Sequence, residues 1–329
     1  MEYRRLGKSG LQLSVFSFGS WVTFSRQVNQ KRALDLMALA YDHGVNFFDN
    51  AEAYEAGNSE IIMGQALTKL NWPRDTYCVS SKVFWGGDKP TQRGLCRKHV
   101  IEACHAALKR LQVDYLDLYF CHRPDIETPI EETVRAMHDL VSQGKVMYWG
   151  TSEWNARQIT EAVLVARELR LTPPAMEQPQ YNLFNRDKME LEYLPLFENY
   201  GLGTTIWSPL SSGLLTGKYN KGIPEGSRLS LTGYEWLKTR FDGGEGKDLL
   251  KKVRRLQQLA DSAGLCLTHL ALLWCLDNAN VSTVILGATG TVQLKENLEA
   301  LENTGKMTGR VLASIEKIVQ NKPEPEQRF

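Results

Sequence analysis

The sequence predicts a single (β/α)8 barrel, and three observations lead there. Short β-branched or aromatic runs alternate with longer segments of helical period almost from end to end. Eight such runs are present, and each is followed by a helical segment. The 329 residues could make two ordinary domains or one large α/β barrel, and eight strand–helix units in about 300 residues favour the single barrel over an open doubly wound sheet.

The elements follow in order. A small hairpin, Tyr3 to Leu13, turns at Lys8-Ser9-Gly10 and precedes the first strand, Val15 to Gly19. The other strand candidates are Asn46 to Asp49, Tyr77 to Val83, Tyr115 to Cys121, Met147 to Ser152, Ala175 to Gln178, Gly203 to Trp207 and Thr283 to Leu286. Helices are expected at Gln30 to Asp42, Ser59 to Leu70, Arg97 to Leu111, Ile130 to Gln143, Ala156 to Leu169, Arg186 to Asn199, Lys247 to Ala263 with Leu267 to Asn278, and Val292 to Leu301. A last helix, Gly309 to Val319, lies in a C-terminal appendage, 305–329. The whole chain, 1–329, thus reads as one barrel domain. Residues 208–247 interrupt the pattern with many Gly and Ser, yet carry Tyr219, Tyr234, Trp236 and Phe241 beside Lys218, Arg228 and Lys238. A loop of that length and composition is expected to cover a ligand.

Composition excludes several classes. Hydrophobic content of 43%, charged content of 23% and a formal charge of +1 give no bias toward nucleic acid or anionic membrane. No apolar run approaches the ~20 residues that span a bilayer, and the N-terminus lacks the apolar core of a signal peptide. The six cysteines are scattered without a CxxC pair or metal-like Cys/His spacing, so a reduced, cytoplasmic setting is expected and no metal site is.

Barrels place chemistry at the C-terminal ends of their strands, and the polar residues there form a pattern. "NFFDNAEAY" ends a strand in Asp49 and places Tyr54 in the loop beyond; "YCVSSKVF" carries Lys82; "DLYFCH" delivers His122. Singly, each has a plainer explanation: a helix cap, a rim aromatic, a surface cation, a packed rim histidine. Together they suit reduction of a carbonyl. A phenol with pKa near 10 donates a proton poorly at neutral pH unless a cation stabilises its phenolate. Lys82 would be that cation, held by Asp49, and His122 would polarise the carbonyl oxygen. A Schiff-base role for Lys82 is the alternative chemistry. The hydride needs a cofactor, yet no GxGxxG follows the first strand. The turn Gly287 to Gly290 before a helix offers a phosphate site instead, with Gln293, Glu296 and Asn297 on one helix face.

Beyond these residues, "FFDNAEAYEAGNSEIIMG", "SSKVFWGG" and "IWSPLSSGLLTGKY" resemble motifs of the aldo-keto reductase superfamily over nearly the whole chain. "EYRRLGKSGL", "SWVTF", "EETVRAM" and "YWGTS" resemble most closely its voltage-gated potassium channel β-subunit branch and bacterial-type relatives. The resemblance implies a catalytic tetrad of Asp49, Tyr54, Lys82 and His122, with Tyr54 as general acid, and a substrate pocket of Trp21, Tyr54, Trp85 and His122. It implies NADP(H) as cofactor, with Ser20, Trp21, Gln27, Asp49, Ser152, Gln178 and Trp207 on the nicotinamide side. Ser208, Pro209, Leu210, Ser211, Ser212 and Lys218 would strap the pyrophosphate, and Arg228, Gly287, Thr289, Gln293, Glu296 and Asn297 would hold the adenosine end. It further implies small carbonyl substrates and a homo-oligomer, the channel-subunit relatives being tetramers.

Three departures bear on function. The animal channel subunits carry asparagine where this chain has His122, which restores an ordinary reductase tetrad. Glu153 and Gly226 stand where those subunits carry an arginine and an aromatic residue. The chain opens directly on the hairpin, so a pore-blocking extension is not expected. A working reductase is accordingly favoured over a channel-associated redox sensor.

Overall fold

A computed structural model describes residues 1–21, 24, 28–224, 227, 230 and 244–324. Its internal contacts divide the chain into two units: Met1–Pro179 with Glu192–Trp207 and Asn280–Lys295, and Gln180–Leu191 with Ser208–Ala279 and Glu296–Phe329.

The first unit contains the entire barrel. The strands are β3 (Phe16–Gly19), β4 (Phe47–Asp49), β5 (Cys78–Val83), β6 (Leu116–Cys121), β7 (Val146–Thr151), β8 (Met176–Glu177), β9 (Gly203–Ile206) and β10 (Thr283–Leu286). All pair in parallel, and β10 closes the ring between β9 and β3. Because both faces of such strands are covered, they read as continuous apolar runs without strict alternation. All six residues of both β5 and β6 are buried.

Ahead of the barrel, β1 (Tyr3–Arg5) and β2 (Gln12–Ser14) pair antiparallel. Leu6, just past β1, and Leu13, within β2, both 0% exposed, join a cluster with Phe47, Cys78, Leu118, Phe120 and Met176. Three of these residues open their strands, so the hairpin plugs the N-terminal end and leaves the opposite rim for chemistry. Burying each leucine contributes roughly 1.5–3 kcal/mol. Gly7 makes the plug possible: its φ of +56° and a Gly201 carbonyl oxygen 2.2 Å from where a Cβ would sit exclude any side chain.

Helices α1 (Gln30–Asp42), α2 (Asn58–Leu70), α3 (Arg97–Leu111), α4 (Ile130–Ser142) and α5 (Ala156–Glu168) pack in sequence, each on the next. Their starts follow capping chemistry. The Asn29 side chain accepts from the Arg32 N–H, and Asn155 forms a reciprocal box with Gln158. The sequence predicts one helix from Arg186 to Asn199, and the structure corrects this. A π turn, Lys188–Glu192, gives way to a separate α6 (Leu194–Tyr200). Pro195 is the reason, since it lacks an N–H to continue a ladder but suits a first turn. The helix expected over Val292 to Leu301 likewise ends as α-helix at Leu298 and continues as a 3-10 segment, Glu299–Lys306.

The second unit is helical. It holds a 3-10 segment (Ser211–Thr216), α7 (Gly244–Ser262), α8 (Leu267–Asp277) and α10 (Gly309–Val319), with α9 (Thr291–Leu298) reaching its boundary. The expected C-terminal helix therefore exists and packs on α7, where Lys252 Nζ donates to the Val319 carbonyl. Arg186, 4% exposed, anchors it by pairing with Glu190 and Glu316 above the Trp274 ring. Residues 225, 226, 228, 229 and 231–243, part of the expected ligand-covering loop, lie outside the described residues. No single helix among the described residues is long and apolar enough to cross a membrane.

Candidate active site

Parallel register brings three strand ends together: Gly19 lies opposite Asp49, and Lys82 lies opposite Phe120 two residues before His122. Asp49 closes β4, Lys82 is next to last in β5, and His122 directly follows β6. Tyr54 begins a 3-10 turn, Tyr54–Gly57, in which Glu55, Ala56 and Gly57 all have positive φ. That tight reversal returns the chain beside the strand it has just left.

Lys82 is fully buried, and its ammonium is saturated. It donates to both Asp49 carboxylate oxygens at 2.6 and 2.8 Å, to the Asn50 carbonyl at 2.8 Å and to the Tyr54 hydroxyl at 3.2 Å. The phenol oxygen therefore accepts from the lysine, so its own hydrogen is free to point elsewhere. Asp49 accepts further from Ser80 Oγ at 2.8 Å and Gln178 Nε2 at 3.1 Å. Desolvation holds the Tyr54 phenol well above its usual range, with the Asp49 charge adding to this and the Arg123 guanidinium opposing it. Burial lowers the Lys82 pKa, and the Asp49 carboxylate works against that. The His122 imidazole is pushed far down by burial, then by the charges of Lys82 and Arg123. It is neutral at physiological pH, and its Nδ1 is buried without a partner among the described residues. The His122 ring stands edge-on to Tyr54, centroids 5.8 Å apart, and to Trp85 at 5.0 Å.

The remaining expected positions divide. Ser20 donates to the Asp49 carbonyl at 3.1 Å. Ser152, just past β7, donates to the Gln178 carbonyl at 2.9 Å, and Gln178 spans Asp49 and Thr205 Oγ1. Trp21 and Trp207 meet edge to face at 5.8 Å. Gln27 and Arg228 lie outside the described residues, as does Gly226. In the second unit, Ser208, Ser211, Ser212 and Gly213 all have positive φ around Pro209 and Leu210. The Ser212 N–H donates to Ser208 Oγ at 3.2 Å, and Lys218 lies across the turn, its Nζ 2.8 Å from where a Gly213 Cβ would sit. A turn of small residues under a cation is anion-binding chemistry. At the last barrel strand Gly287 is exposed, and Gln293 is turned back to accept from the Thr289 N–H at 3.1 Å. Glu296 is exposed, and its backbone carbonyl takes the His269 ring. Asn297, 3% exposed, leaves its amide nitrogen without a partner among the described residues. That orphaned donor and the serine turn, both in the second unit, fit a dinucleotide. Among the described residues no cluster of three or more His, Cys, Asp or Glu is placed to hold a metal.

Two residues gain roles that strand-end reasoning misses. Glu153, at φ +61°, accepts from the Trp207 indole N–H at 2.9 Å and so fixes that ring. Glu52 pins the loop beyond β5 by accepting from the Phe84 N–H at 2.7 Å while its other oxygen faces His99 at 3.5 Å. An acidic residue next to a strand-end serine was the available signal for Glu153; nothing local marks Glu52.

Comparison with known proteins agrees with this geometry. A family model described as the aldo/keto reductase family matches residues 16–320. Two curated relatives, from Arabidopsis thaliana and from Oryza sativa subsp. japonica, are each described as a probable voltage-gated potassium channel subunit beta. Each is 51% identical over 330 residues, covering all of this chain and all of its own.

Proposed function

The chain belongs to the aldo/keto reductase family, which makes it an oxidoreductase, and on that premise we propose that it reduces aldehydes and some ketones to alcohols with NADPH. One observation carries the reading: a buried ammonium bridges the Asp49 carboxylate and the Tyr54 hydroxyl. When bound, a reduced nicotinamide supplies the hydride that no side chain provides. Ser20, Gln27, Ser152, Gln178 and Trp207 would hold its ring end, Ser208 to Ser212 with Lys218 its phosphates, and Arg228, Gly287, Thr289, Gln293, Glu296 and Asn297 its adenosine end. A guanidinium at 228 would pair with a 2′-phosphate and so favour NADPH over NADH.

The protein's own residues manage the proton. Neutral His122 donates a hydrogen bond to the substrate carbonyl oxygen. Tyr54 would deliver its proton to that oxygen as the carbonyl is reduced. Lys82 stabilises the resulting phenolate, Asp49 keeps Lys82 charged, and solvent restores the tyrosine. A Schiff-base role fits less well, because the protons of Lys82 are committed to Asp49 and Asn50.

Purified protein mixed with NADPH and 4-nitrobenzaldehyde tests this: steady loss of nicotinamide absorbance supports it, and its absence refutes it. The names of the two relatives favour a second reading, a cytoplasmic channel-associated homo-oligomer that binds NADP(H) with slow turnover. Tight NADPH binding without aldehyde reduction would select that reading instead.

A further inference from the structure

The mouth of the site holds a cation that the proton-transfer chemistry does not use. Arg123 is half-buried directly after His122. One terminal nitrogen donates to the His122 carbonyl and reaches Ser152 Oγ at 3.4 Å. Its guanidinium carbon lies 5.4 Å from the centroid of the Trp85 ring, the same ring that packs against the His122 imidazole. No carboxylate among the described residues pairs with it. The acids nearest in the chain are engaged elsewhere: Asp125 accepts from the Leu95 N–H and the Thr128 hydroxyl, both at 2.7 Å, and Glu153 accepts from Trp207.

A guanidinium is charged at every accessible pH, and holding it partly out of water without a counter-ion is unfavourable. The position persists at little cost if a ligand supplies the anion. Its field reaches the reacting groups, since it pulls down the pKa values of Tyr54, Lys82 and His122. Beside it, Trp85 is 37% exposed and offers a flat apolar wall. A fixed cation next to an aromatic wall and a carbonyl-activating imidazole describes a complement to a planar aldehyde with a negative end.

We propose that Arg123 is a specificity-determining residue that binds the carboxylate of an aldehyde substrate, so that carboxylated aldehydes are preferred over neutral ones of the same shape. This rests on the aldehyde-reducing reading above. The matched probes are 4-formylbenzoate and its methyl ester. The ester is the more electron-poor aldehyde, so reactivity alone favours it and a preference for the carboxylate must come from binding.

The wild-type protein is expected to show kcat/KM for 4-formylbenzoate at least about fivefold above that for the ester, with the ratio falling as salt is added. In Arg123→Gln that ratio falls by roughly tenfold to a hundredfold, chiefly through KM, and Arg123→Lys recovers part of it. Because it is a ratio, any change in the common chemical step cancels. Calorimetric binding of the product 4-(hydroxymethyl)benzoate to the NADPH-loaded protein, a complex that cannot react, weakens in parallel, while NADPH affinity measured by tryptophan fluorescence holds within about threefold. A ratio unchanged in Arg123→Gln overturns the proposal, as does a loss of NADPH affinity equal to the loss for the carboxylate, which would assign the guanidinium to the cofactor. Failure to reduce either probe or 4-nitrobenzaldehyde would instead count against the reductase reading itself.

Discussion

Replacing Lys82 with methionine tests the proton donor's support. Methionine fills most of the lysine's volume, so no large cavity opens. Asp49, 3% exposed, is left with Ser80 Oγ and Gln178 Nε2 as side-chain donors. Breaking a buried pair by removing one partner costs about 3–5 kcal/mol; the two remaining donors place the expected loss near the lower end. For activity, a unit charge 3.2 Å from the phenol oxygen is worth roughly 5 kcal/mol to a full phenolate at an effective dielectric of about 20. If about half of that charge has developed in the transition state, kcat falls by about a hundredfold, within the 10²- to 10⁴-fold range for lost acid catalysis. Chemical denaturation gives the stability change, and single-turnover reduction of 4-nitrobenzaldehyde with saturating NADPH gives the rate. Adding Asp49→Asn to the variant should recover part of the lost stability without recovering the rate. A kcat within threefold of wild type would refute the reasoning, as would borohydride trapping of a substrate adduct on Lys82 in the wild-type protein.

Three further outcomes are expected. His99 is 4% exposed; burial works to lower its pKa, but Glu52 and the Gly94 carbonyl outweigh this and hold it raised. Its contribution is therefore complete below the unfolded value near 6.5 and is lost as pH rises through the folded value; in His99→Gln, urea midpoints should lose that decline, and an unaltered pH slope would contradict it. Gly7→Ala should cost at least about 2 kcal/mol, because its Cβ meets backbone on a left-handed turn, whereas Gly10→Ala, with open space around it, should stay within about 0.5 kcal/mol by thermal unfolding. Arg228→Ala should raise KM for NADPH far more than KM for NADH, and equal effects would remove Arg228 from the 2′-phosphate site.

The barrel and its acid, base and imidazole were legible for a physical reason. Buried parallel strands leave unbroken apolar runs, and a charged residue ending such a run stands out, as Asp49 does after Phe47 and Phe48 or Lys82 after two buried serines. Helix ends were less legible. Pro195 starts a helix as readily as it stops one, and a periodic pattern over 186–199 does not show which. The contacts of Glu153 and Arg123 are to Trp207 and Trp85, on the loops after other strands, and no local spacing reveals them. His122 was correctly placed at the rim, but the neutrality of its ring comes from burial between two cations, one of them its own neighbour in the chain.

The most direct test of the account is Tyr54→Phe. This change removes one hydroxyl and leaves Lys82 bonded to Asp49 and Asn50. In this variant kcat for 4-nitrobenzaldehyde is expected to fall by at least about 10²-fold while NADPH affinity stays within about twofold of wild type. Turnover that survives the loss of the phenol would contradict it.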